Sequence, residues 1–187
     1  MNGMKKIGII IGSLRKGSFC RRAALALIPL APKGVELEIL EIGGLAMYNQ
    51  DLDEGAPPPE WVAFREQIKR IDAILFITPE YNRSIPAVLK NAIDVASRPQ
   101  GKNVWNGKLG AVMSLSPGGL GGFGANHHLR QTLVCLNVIT MQQPEAYIGG
   151  AATLFNEQGE LINDTTRTFF KQFIDAFNVF INRVSRV

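Results

Sequence analysis

The chain has 187 residues, 46% of them hydrophobic, which suits one globular domain over 1–187 with a sizeable core. Its net charge is +4, but 20 Lys and Arg are scattered among 16 acidic residues without a polybasic run, which argues against a nucleic-acid-binding face and for a modest attraction to small anions. Two cysteines without C-x-x-C spacing, and the lack of any apolar run of signal or membrane length, exclude a disulfide scaffold, a zinc ribbon and a membrane span, and make a reducing cytoplasm the expected location.

The elements alternate strand and helix. Residues 7–11 form an apolar first strand that runs into Gly12-Ser13-Leu14-Arg15-Lys16-Gly17-Ser18, and a helix follows over about 18–30. A second strand is expected at 35–42, then a loop rich in Gly and Pro over 43–59. Trp61, Phe64, Ile68 and Ile71 recur at helical spacing. The third strand, 73–78, is apolar on both faces, as the inside of a parallel sheet requires. It stops at Pro79-Glu80-Tyr81-Asn82, and a helix spans 84–97. Val88, Leu89, Ile93 and Val95 cover more than one face of that helix, which predicts burial against both the sheet and a second copy of the chain.

A fourth strand at 109–115 leads into Ser116-Pro117-Gly118-Gly119 and a flexible stretch to Gly124. A helix through Leu133, a short fifth strand at 138–141 and a closing helix capped by Asp164 complete the chain. Phe169, Phe170, Phe173, Phe177, Phe180 and Ile181 give the closing helix a broad apolar face. Five βα units with right-handed crossovers predict an α/β, flavodoxin-like three-layer sandwich whose five-stranded parallel sheet has the order 2-1-3-4-5. The loops after strands one and three then meet at the switch point, where such sheets bind ligands.

The first loop offers the hydroxyls of Ser13 and Ser18, the guanidinium of Arg15 and the amides entering a helix, a set suited to a phosphate. The spacing from Gly12 to Gly17 is close to that of a P-loop, but Ser18 stands where the P-loop lysine would be. G-x-G-x-x-G is also absent, so a terminal phosphate fits better than a pyrophosphate. The loop after strand three brings a rigid start, an aromatic ring and a run of amides, and that after strand four brings bare glycine backbone, which together suit a planar heteroaromatic. A phosphate at one end and planar rings at the other describe FMN.

These motifs, with Leu89-Lys90-Asn91-Ala92-Ile93-Asp94 downstream, closely resemble the NADPH-dependent FMN reductase family, and its bacterial quinone and chromate reductases in particular. The likeness runs over nearly the whole chain, through His128-Leu129-Arg130-Gln131 and Pro144-Glu145. It implies that Ser13, Arg15 and Ser18 hold the FMN phosphate, with Phe19 and Cys20 beside them. It further implies that Pro79, Glu80, Tyr81, Asn82 and Ser84 line the ring system and that Ser116, Pro117, Gly118 and Gly119 close its far side. Arg98 resembles a family arginine near the outer flavin face and, with Tyr81, is the candidate for nicotinamide or acceptor contact. NADPH or NADH would be co-substrate, a quinone, chromate or another small oxidant the acceptor, and the assembly a homodimer, in some relatives paired into tetramers.

The chain departs from the family pattern in places. Cys20 stands where close relatives often have Asn, and Gly124 and His127 stand where tetrameric relatives can carry Arg and Tyr. His127 and His128 diverge by about 100° on one helix, so they cannot share a metal, and no metal site is expected. Cys20 reads as a packed or phosphate-adjacent thiol rather than a nucleophile, and Glu80, a lone carboxylate, is thin support for a general base. The flavin would carry the redox chemistry in a ping-pong cycle, with no essential protein acid or base. A flavodoxin-type electron carrier is the alternative, disfavoured because such carriers present an acidic face.

Overall fold

A computed structural model describes residues 4–185. The sheet has the parallel strands β1 (Lys5–Ile11), β2 (Val35–Leu40), β3 (Ala73–Thr78), β4 (Leu109–Leu115), β5 (Ile139–Thr140) and β6 (Ala146–Ile148). The order β2-β1-β3-β4-β5 is the doubly wound one expected. The fifth position, however, is shared. β5 pairs with the start of β4, Leu109 and Gly110, and β6 with its end, Met113 to Leu115. The sheet therefore has six strands rather than five, two of them short pieces at one edge.

The unbroken apolarity of β3 has a direct cause. Ala73, Leu75 and Ile77 point into one core, while Ile74 and Phe76 point into another. The first core is closed by α1 (Phe19–Leu27) and α6 (Asp164–Val184), through Ala23, Leu27, Phe170, Phe173 and Phe177. The second lies under α3 (Pro59–Arg70), α4 (Ala87–Ala96) and α5 (Phe123–Cys135), where Trp61, Phe64 and Trp105 are fully covered. Two covered faces leave no solvent side, so period-two polarity disappears.

Element ends follow local chemistry. Ser18 caps α1, its hydroxyl accepting the Arg21 amide at 3.3 Å, and the helix tightens into a 3-10 turn at Ile28–Leu30, where Pro29 enters. α4 starts behind Pro86, later than expected. The cap of α6 is Asn163, whose side chain accepts the Thr166 amide at 2.8 Å, and not Asp164, which sits in the first turn. The Gly- and Pro-rich segment also holds a short helix, α2 (Gln50–Glu54), absent from the sequence reading. Val88 aside, the α4 residues expected to serve a partner, Leu89, Ile93 and Val95, are buried within the chain. Val88 is itself partly buried against the second core. Among the described residues no helix is long and apolar enough to cross a membrane.

Candidate functional site

The exits of β1 and β3 lie side by side at the switch point. A Cβ on Gly12 would come within 2.9 Å of Thr78 Oγ1 and 3.2 Å of Pro79 Cδ, so the close approach of these two loops needs glycine. Beyond them opens a cleft of about 220 Å³. One end is lined by Ser13, Arg15, Ser18, Phe19 and Cys20, and the other by Pro79, Glu80, Tyr81, Ser116 and Pro117. Leu115, at the end of β4, joins the lining; as a strand residue it carried no signal in the sequence.

The first end is electropositive. The first turn of α1 contains no acidic residue, so beyond the Ser18 cap on the Arg21 amide its dipole meets no counter-charge within the helix. Arg15 donates to the carbonyl of Gly17 at 3.1 Å and has no carboxylate partner among the described residues. An anion would supply the missing counter-charge. Burial pushes the Cys20 thiol up to about 12, against smaller opposing effects of Ser18 and Arg15. The thiol is therefore neutral at physiological pH and walls the cleft without acting as a nucleophile.

The second end is built on a hydrogen-bonded turn. Tyr81 and Ser84 exchange backbone hydrogen bonds of 2.9 Å, and the two residues between them, Asn82 and Arg83, have φ of 51° and 65°. Positive φ at both central positions is the mark of a type I′ two-residue turn. The turn is tied to α5 at two points. Glu80 accepts the Ala125 amide at 3.0 Å and the Arg83 guanidinium at 2.8 Å, and Ser84 Oγ lies 2.7 Å from His128 Nδ1. Both Glu80 oxygens are thus engaged outside the cleft. Asn82 and Ser84 lie in this turn rather than in the lining. Gly118 and Gly119 pack their carbonyls against Gly149, where a Cβ would come within 2.8 Å of Gly119 O.

Arg98 is elsewhere. The ten residues of α4 carry the chain about 15 Å away from the switch-point edge, and Arg98 lines a separate cavity with Asp53, Arg65 and Lys102. Within one chain it does not join the cleft. His127 and His128 also part: His127 Nε2 meets the Tyr147 hydroxyl at 2.8 Å, which in turn donates to Glu145 at 2.8 Å. No group of three His, Cys, Asp or Glu among the described residues is placed to hold a metal ion.

The motif residue Asn91 serves the scaffold. Its amide oxygen accepts the Tyr48 N–H at 2.8 Å, and its nitrogen donates to the carbonyls of Leu45 and Ala46 at 3.2 and 2.9 Å. This pins the long segment after β2 onto α4. The same segment is locked by a buried bidentate pair between Asp53 and Arg65, both contacts at 2.8 Å.

Comparison with known proteins bears on this cleft. The sequence model of the NADPH-dependent FMN reductases matches residues 5–153, which include all three loops. The chain belongs to that family. A quinone reductase of Pseudomonas putida is 55% identical over 177 residues, 95% of each chain. A 2-hydroxy-1,4-benzoquinone reductase of a Burkholderia species is 42% identical over 176 residues, 94% of this chain and 96% of its own. Among solved structures, the flavoenzyme NAD(P)H:(acceptor) oxidoreductase FerB of Paracoccus denitrificans superposes with a TM-score of 0.88 at 40% identity, covering 96% of this chain and 98% of its own. Membership of the FMN reductases makes the chain an oxidoreductase.

Proposed function

We propose that the chain is an FMN-dependent NAD(P)H oxidoreductase that delivers two electrons to a small quinone-type acceptor by a ping-pong cycle. The observation that carries this reading is the polarity of the switch-point cleft: a cationic pole at Arg15 and the α1 N-terminus at one end, and Pro79, Tyr81 and Pro117 at the other. A donor set of this kind fits a flavin mononucleotide, whose phosphate and ring system need those two environments at opposite ends. Ser13, Arg15 and Ser18 would bind the phosphate. Pro79, Tyr81, Ser116 and Pro117 would orient the ring and exclude water from one of its faces.

The chemistry supplied by FMN when bound is two-electron transfer from NADPH or NADH to the acceptor. The protein's part is placement. Tyr81 is 53% exposed at the rim, so the outer face stays accessible and nicotinamide and acceptor take turns on it. Glu80, with both oxygens engaged, moves no proton in this scheme. Quinones, being flat and small, suit a shared planar face, and chromate could be reduced there as well.

We further propose a homodimer, to which the exposed Val134 of α5 and the partly buried Val88 of α4 are available as apolar contacts. Light scattering at micromolar concentration tests this, and a monomer would defeat it. For the activity, the deciding experiment is the visible spectrum of the purified protein after reconstitution with FMN, before and after anaerobic NADPH. Bleaching by NADPH followed by full recovery on one equivalent of benzoquinone is expected. A protein that takes up no FMN, or whose bound flavin ignores both nicotinamides, overturns the proposal.

A further inference from the structure

Phe155 lies just beyond the stretch matched by the family model, yet the fold packs it against Phe19, which lines the cationic end of the cleft. Phe155 and Leu161 are paired across a tight hairpin, closed by hydrogen bonds of 3.0 Å from Asn156 to Glu160 and of 2.9 Å from Ile162 to Leu154. Phe155 is 6% exposed, and its ring stacks on that of Phe19, with centroids 6.4 Å apart and planes 16° from parallel. Phe19 in turn lies under Arg15, whose guanidinium carbon is 5.2 Å from the ring centroid. The hairpin is also tied to α1 by Arg22, which donates to the carbonyl of Asn156 at 3.3 Å and lies over Phe19.

We propose that Phe155 is a positioning residue for the cofactor phosphate: it holds the Phe19 ring, and the face of that ring holds the Arg15 guanidinium at the cationic pole. This rests on the reading above in which Arg15 takes the FMN phosphate. An exposed arginine ordinarily loses much rotamer freedom when it binds an anion. A guanidinium already resting on an aromatic face and on the Gly17 carbonyl has less to lose, which is preorganisation in its plain sense. Phe155 touches no ligand in this arrangement. It acts through two side chains, and its effect should therefore depend on both Arg15 and the phosphate.

The test is a set of dissociation constants for FMN and for riboflavin, which has the ring system but no phosphate, measured by quenching of flavin fluorescence on apoprotein. Phe155→Leu and Phe155→Met each remove the ring while keeping most of the volume, and circular dichroism and melting show that the variants are folded. Either variant should bind FMN about two- to fivefold more weakly and riboflavin as the parent does. In an Arg15→Ala background the same substitutions should have no further effect on FMN. Equal losses for FMN and riboflavin, a loss that persists without Arg15, or no loss at all would overturn the inference. If Arg15→Ala alone leaves FMN affinity intact, the phosphate reading of Arg15 fails first and takes the inference with it.

Discussion

Glu80 and Ala125 lie 45 residues apart in sequence, and the Glu80 carboxylate accepts the Ala125 amide at 3.0 Å. Ala125 is the third residue of α5, so a side chain from one loop satisfies the open amide of a helix that starts from another. The two loops at the second end of the cleft are thereby held in one frame.

Replacing Glu80 with Ala should cost about 1 to 3 kcal/mol, the range for leaving a part-buried donor without its acceptor. Hydrogen exchange at the Ala125 amide should accelerate and FMN affinity should drop, while Glu80→Gln, which keeps an acceptor oxygen, restores most of both. Unchanged exchange at Ala125 in Glu80→Ala would show that the contact contributes nothing.

Cys20 makes stability fall in alkali. Burial raises its thiol to about 12 in the folded chain, against about 8.5 when unfolded. Between these values the unfolded state has released a proton that the folded state keeps. The contribution is therefore whole below about pH 8.5 and is lost as pH rises toward the folded value, by up to about 1.4 kcal/mol per pH unit. Denaturant titrations of wild type and Cys20→Ala from pH 7 to 11 should show the difference narrowing with pH. A constant difference would mean that the folded thiol ionises normally. Alkylating reagents at pH 7.5 should likewise leave Cys20 unmodified until the chain unfolds.

Asn91→Ala should destabilise the chain by about 1 to 3 kcal/mol, because it leaves the Tyr48 amide and the Leu45 carbonyl without their partner, while the Ala46 carbonyl keeps the Trp61 indole N–H. Limited proteolysis should then cut between residues 43 and 58. Resistance equal to that of wild type would assign the hold on this segment to the Asp53–Arg65 pair and to Trp61, whose indole N–H donates to the Ala46 carbonyl at 3.1 Å.

Initial rates measured with NADPH and a small benzoquinone should give parallel double-reciprocal lines, with high quinone inhibiting competitively against the nicotinamide. That pattern follows from one open face used in turn. Intersecting lines together with a trapped ternary complex would refute it.

Much of this was legible in the chain. The apolar run 73–78 and the 3.6-residue recurrence of Trp61, Phe64 and Ile68 carry burial and period directly, and alternation with right-handed crossovers carries the doubly wound class. The cationic end of the cleft was equally open to reading, because Ser13, Arg15 and Ser18 sit within six residues on one loop. What escaped was either very short or very distant. A short strand was expected at 138–141, where β5 lies, but β6 has three residues, too few for any pattern, so the sharing of the fifth position was not visible. The ties of Glu80 to Ala125, Ser84 to His128 and Phe155 to Phe19 join separate elements, and no local spacing announces them. Arg98 was drawn to the cleft by likeness alone, and within one chain it follows α4 and lines a different cavity.

The divided edge of the sheet has a consequence for how the molecule behaves in a crowd. An exposed strand is a template on which another chain can add itself, backbone to backbone. Here β5 and β6 are separate pieces with Pro144 between them, so that margin offers no continuous ladder of free amides and carbonyls. The opposite margin, β2, is a full six-residue strand, but Glu36 and Glu38 are exposed along it. One border is broken and the other is charged, so the sheet discourages strand-to-strand aggregation at both ends.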